Sequence, residues 1–154
     1  MAGRSAGLLL YKRVDAALHV LLVHPGGPFW ARKDAGAWSI PKGEYVDGEQ
    51  ARAAALREFT EETGRPAPDG ELLDLGSVRQ RAGKEVAAWA VEGDLDVTTL
   101  VSNTFELEWP PRSGRRQTFP EVDRAAWFDE ATAREKINAA QSTFLDRLAE
   151  ALRT

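Results

Sequence analysis

The chain has 154 residues, 43% of them hydrophobic and 29% charged, with a formal net charge of -4 and no cysteine. That length suits one domain with a sizeable core, and we expect a single domain over residues 1–154. The charge excludes binding to a nucleic-acid polymer or a membrane surface through bulk positive charge. The missing cysteine excludes disulfides, thiol catalysis and cysteine–zinc sites, and fits a reducing cytoplasm.

The first apolar run, SAGLLLYKR, is too short for a signal segment or a membrane span. With ALHVLLVHP it predicts a pair of adjacent strands, a hairpin turning at VDA. Residues 26–49 are rich in glycine, proline and aromatics, which predicts a loop with a short strand near residues 37–40. Residues 49–63 are rich in alanine and other good helix formers, with Gly64 as a natural C-cap and Pro66 and Pro68 forbidding continuation. Two further strands follow at 71–81 and 84–93, joined at Ala82-Gly83. Segments 103–111, 114–122 and 124–129 predict three more. Asp129 is placed to cap a long final helix, along which Ile137, Ala140, Phe144, Leu148 and Leu152 form one apolar stripe. The order of strands, helix, strands, helix predicts an α+β fold, a mixed sheet packed between helices.

The stretch REFTEETG, residues 57–64, breaks a local rule. Positions three and four apart share a helix face, so Glu58, Glu61 and Glu62 converge. Each like-charge pair costs roughly 0.2–0.5 kcal/mol, and acids in a last turn also oppose the helix dipole. Arg57 offers a partner to Glu61 but cannot balance three carboxylates. A solvated acidic face is one reading. The other is a cation site, since carboxylate oxygens suit magnesium or manganese and a bound ion would reverse the local electrostatics. Ala51, Ala54 and Ala55 continue this face toward the N-terminus and would let the helix pack closely. The opposite stripe, Ala53, Leu56, Thr60 and Thr63, is less polar than a free surface would be.

The wider segment GEYVDGEQARAAALREFTEETGR resembles the signature of the Nudix hydrolases. Gly43, Glu49, Arg57, Glu58, Phe59, Glu61, Glu62 and Gly64 fill its fixed positions at matching spacing, and only the last apolar slot departs, holding Arg65. The resemblance implies an α/β/α sandwich and hydrolysis of a nucleoside diphosphate linked to another moiety, with Mg2+ or Mn2+ as cofactor. Carried over by position, it makes Glu58, Glu61 and Glu62 metal ligands, with the main-chain carbonyl of Lys42 as a further one. Arg57 would orient the glutamates, and Glu49 and Gly43 would support them. The general base is Glu58 or an acid outside the motif, for which Glu121 is the candidate and Glu106 and Glu108 are weaker ones. The alternative is a catalytically silent member that binds a nucleotide as a sensor, against which the intact set of three glutamates argues. Family members often form homodimers, so that state is open as well.

The lead-in WSIPKGE is similar to that of dinucleoside polyphosphate hydrolases and of bacterial enzymes acting on oxidised guanine nucleotides. It implies a small nucleotide substrate, with Lys42 directed at a phosphate. No tyrosine follows the motif, where several dinucleoside polyphosphate hydrolases carry one. Trp38 and Lys33, in a loop that also holds Phe29, Trp30 and Arg32, are candidate substrate contacts, because aromatics beside cations suit a base and its phosphates.

Overall fold

The computed structural model describes residues 3–153. Its central sheet runs β4 (Leu73–Arg79), β5 (Glu85–Glu92), β1 (Arg4–Val14), β2 (Ala17–Pro25), β8 (Val122–Asp129), with β3 (Lys42–Glu44) also paired to β1. β1 lies parallel to β5 and antiparallel to β2 and β3, so the sheet is mixed as expected. Helix α1 (Ala51–Thr63) covers one face, where Leu8, Leu10, Leu21 and Phe59 pack together. Helices α2 (Glu130–Lys136) and α3 (Ser142–Ala151) cover the other, where Leu9, Tyr11, Phe144 and Leu148 meet. The continuous run of leucines in β1 follows from this, because a strand covered on both faces has no polar side to alternate with.

The hairpin of β1 and β2 forms, but the strands part beyond it. Their register runs from Tyr11–Val20 to Val14–Ala17. Further along, the 38–44 segment enters between them: Val23 pairs with Ser39, and Ser5 to Gly7 pair with β3. The short strand expected at residues 37–40 is thus reduced to isolated bridges at Trp38 and Ser39, with the strand proper at Lys42–Glu44. Gly7 allows this close approach, since a Cβ there would lie 2.7 Å from the Pro41 carbonyl oxygen.

The long final helix does not run through. It breaks after Lys136, because the Asn138 N–H donates to the Trp38 carbonyl and its side chain accepts from the Ala140 N–H. The expected apolar stripe still faces the core through Ile137, Phe144 and Leu148. Strands β6 (Thr104–Glu108) and β7 (Arg116–Pro120) pair with each other in a separate two-stranded arm. On α1 the close-packed face holds Ala54, Ala55, Phe59 and Thr63, whereas Ala53 and Thr60 are exposed. The expected opposite stripe is therefore split by position around the helix, not shielded as a whole.

Candidate active site

The place where β1 and β2 part is also where α1 ends. A cavity of about 540 Å3 opens there, lined among others by Lys42, Gly43, Glu58, Glu61, Glu62, Lys84, Asn103 and Glu121. Local structure explains how α1 delivers its acids to this wall. Gly64, at φ 75°, caps the helix by donating to the Thr60 carbonyl. The last carbonyls, which have no partner within a helix, are taken by the extended segment before β6: Glu61 accepts from Asn103 N–H at 2.9 Å and Thr63 from Val101 N–H at 3.0 Å.

Arg57 organises the charges. Its Nε and Nη2 donate to the two oxygens of Glu49 at 2.8 and 3.0 Å, a bidentate fork. Its Nη1 donates to Glu58 and to Glu61, each at 2.9 Å. Arg57 thus orients three acids, two more than the i+4 spacing to Glu61 indicates: Glu58 is its neighbour in the chain and Glu49 reaches it from the turn before α1. Gly43 is required by contact: a Cβ there would stand 2.0 Å from Glu58 Oε2. The main-chain N–H of Lys42 donates to Glu62 Oε1 at 3.3 Å.

The electrostatics leave the site short of positive charge. Burial pushes the Glu62 carboxyl up to about 8, with Lys42 and its N–H only partly offsetting this and with Glu58 and Glu121 adding to it. Burial also raises Glu58, against the pull of Arg57. The Lys42 ammonium is lowered, first by burial and then by Lys84. Among the described residues no three acids or histidines stand at the mutual spacing a bound ion needs; the Arg57 guanidinium sits between Glu58 and Glu61. The donor set nevertheless fits a hard divalent cation: hard carboxylate oxygens line one wall, two of the acids are pushed toward the neutral form, and the glycine at the wall keeps room for one of them.

Glu121 comes to this cleft from sixty residues away in the chain. Its N–H donates to the Asn103 carbonyl at 2.7 Å and its carbonyl accepts from Gly26 N–H at 3.0 Å, so its backbone is pinned on both sides. Gly26 permits this, because a Cβ would meet the Pro120 carbonyl oxygen at 2.0 Å. Glu106 and Glu108 lie elsewhere, exposed on the arm, the first 3.7 Å from Arg116 and the second accepting from Gly114 N–H.

Two expected substrate contacts are not on the cleft wall. Trp38 is 4% exposed and belongs to the core, its Nε1 donating to Asp34 at 2.8 Å and its ring set edge-on to His24 and Phe128. Lys33 is exposed, with its ammonium 5.0 Å from the centre of the Trp30 ring and its carbonyl 2.6 Å from His24 Nε2. Conversely, Lys84 lines the cleft although nothing in its stretch, AGKEV, marks it. Only the pairing of β5 with β1 brings it there, 3.2 Å from Glu44.

A profile described as the NUDIX domain matches residues 1–148. The chain belongs to the Nudix family. A curated relative, an RNA pyrophosphohydrolase from Dinoroseobacter shibae, is 54% identical over 37 residues, which is 24% of this chain and 23% of that protein. The match therefore spans about a quarter of that relative's length. Solved Nudix structures share the fold across nearly the whole chain. A C. elegans Ap4A hydrolase binary complex superposes with a TM-score of 0.67 at 20% identity, covering 96% of this chain and 97% of that one. The NUDIX domain of Shewanella oneidensis NrtR, complexed with ADP ribose, gives 0.64 at 17% identity over 99% and 89%. A MutT protein from Methanosarcina mazei gives 0.63 at 20% identity over 99% and 96%. No helix among the described residues is long and apolar enough to cross a membrane.

Proposed function

We propose that this Nudix protein is a divalent-cation-dependent pyrophosphohydrolase that cleaves a phosphoanhydride bond in a nucleoside or dinucleoside polyphosphate. The observation that carries this reading is the convergence of Glu58, Glu61, Glu62, Lys42, Lys84 and Glu121 on one cleft. A pocket built only to sense a nucleotide would have no need for this crowd of carboxylates, two of them raised by burial.

Glu58, Glu61 and Glu62, with the Lys42 carbonyl, would hold Mg2+ or Mn2+. The bound ion would neutralise phosphate charge and make an activated water available. The chain's own residues do the rest. Arg57 fixes the rotamers of Glu58 and Glu61 and is itself fixed by Glu49. The Lys42 and Lys84 ammonium groups, both on the cleft wall, would bind the phosphate chain as point charges. Glu121 takes the proton from the attacking water, held at the cleft by its two main-chain bonds. The chain lacks cysteine throughout, which suits work in the cytoplasm.

The test is incubation with Mg2+ or Mn2+ and a panel of nucleoside and dinucleoside polyphosphates, with products followed by ion-exchange chromatography. Turnover that EDTA abolishes and Glu61→Gln severely reduces is the expected result. Nucleotide binding with no turnover of any substrate would refute the enzymatic reading and favour the silent one.

A further inference from the structure

Two segments far apart in the chain build one aromatic surface beside the cleft. The β6–β7 arm springs from the cleft itself, since Asn103 and Glu121 at its base both line the cavity. Along β6 the side chains alternate, so Phe105, Leu107 and Trp109 share one face, with Phe119 opposite Phe105. That face lies on the 26–30 loop. The Phe105 ring would be 3.0 Å from a Cβ on Gly27, and Phe29 sets its ring edge-on to Trp109 with centroids 5.4 Å apart.

This arrangement is not a closed core. Phe29 is 59% exposed and Trp30 39% exposed, although both are large and apolar. Lys33 lies over the Trp30 ring, and Arg112 and Arg115 stand on the tip of the arm, where the Trp109 N–H donates to the Arg115 carbonyl at 2.9 Å. Among the described residues neither arginine has a carboxylate partner, while the arm's Glu106 is engaged with Arg116. Exposed rings beside free guanidinium groups suit a nucleobase stacked on a π-face with phosphate close by. They occur here in a protein of net charge -4, which does not draw nucleic acid by bulk charge.

We propose that the Phe29–Trp109 surface, with Arg112 and Arg115, binds the distal nucleoside of a dinucleoside polyphosphate whose phosphates lie in the cleft. The proposal rests on the pyrophosphohydrolase reading and deepens it. A substrate held at the carboxylates must leave the cleft along a wall, and on the Glu121 side the wall continues directly into the arm. The surface thereby selects for a second base and leaves the chemistry at the carboxylates unchanged.

The experiment compares diadenosine tetraphosphate with adenosine tetraphosphate, which lacks the second nucleoside. Phe29→Ala and Trp109→Leu should each raise KM for the first by about fivefold or more, the loss of one stacked base. KM for the second and kcat for both should stay unchanged. Equal changes for both nucleotides, or none for either, would overturn the proposal. So would a KM rise seen only with a 5′-triphosphorylated RNA. Equilibrium binding of the same two nucleotides to the Glu61→Gln protein reads the surface without turnover, so an inactive enzyme would refute the hydrolase reading while this difference still decides the surface. Thermal denaturation of the Trp109→Leu protein separates a lost contact from a loosened arm.

Discussion

Replacing Glu62 by glutamine removes the most strongly raised carboxyl in the cleft while keeping an oxygen to accept the Lys42 N–H. A carboxyl raised above its ordinary value favours the folded chain only while protonated. Its contribution is complete below the unfolded value of 4.5 and is lost as pH rises through about 8. At about 1.4 kcal/mol per pH unit, the whole interval amounts to on the order of 3–5 kcal/mol. Urea unfolding in EDTA, followed by tryptophan fluorescence, should therefore show the wild-type protein losing stability between pH 5 and pH 8. The Glu62→Gln protein should lose much less, its remaining slope coming from Glu58, which is also raised. Saturating Mg2+ at pH 8 should restore the wild type more than the variant. Parallel pH slopes in the two proteins would refute the claim that burial of this carboxyl outweighs the counter-charge of Lys42.

Three further substitutions probe the same cleft. Gly43→Ala should abolish turnover, because its methyl would displace the Glu58 carboxylate from a position 2.0 Å away; wild-type rates would show that Glu58 need not lie there. Glu121→Gln should lower kcat by roughly 10²–10⁴ with little change in unfolding midpoint, and a loss under about tenfold would remove Glu121 from the role of base. Lys84→Met should raise KM for nucleotides and weaken their salt dependence while leaving kcat nearly constant; a fall in kcat alone would place Lys84 outside substrate binding.

The convergence of Glu58, Glu61 and Glu62 was readable because local geometry suffices for it, while the parts played by Gly43 and Glu49 were implied by the resemblance to the Nudix signature. A helix places residues three and four apart on one face whatever surrounds it, and the glycine beyond it stops it. The strands of the central sheet were readable for a similar reason, since runs such as GLLLY have no polar side to expose. The Asn138 break was not readable, because the helix-forming pattern continues through it. What stops the helix is a hydrogen bond from Asn138 to Trp38, one hundred residues earlier.

The loop from residue 26 to residue 38 shows the same division within a few residues. Its aromatics and cations look alike in sequence, yet Trp38 closes the core while Phe29 stays in solvent beside Trp109. Composition cannot separate them, because burial depends on which distant strand arrives. Glu121 and Lys84 share that origin: one is brought to the cleft by main-chain bonds to Asn103 and Gly26, the other by the parallel pairing of β5 with β1. The sequence by itself determined the acids on α1, the arginine that orients them and the glycines that make room and end the helix. Which further acid and which lysine line the cleft with them, and which aromatics are left free, was decided by long-range pairing, whose partners no local periodicity encodes.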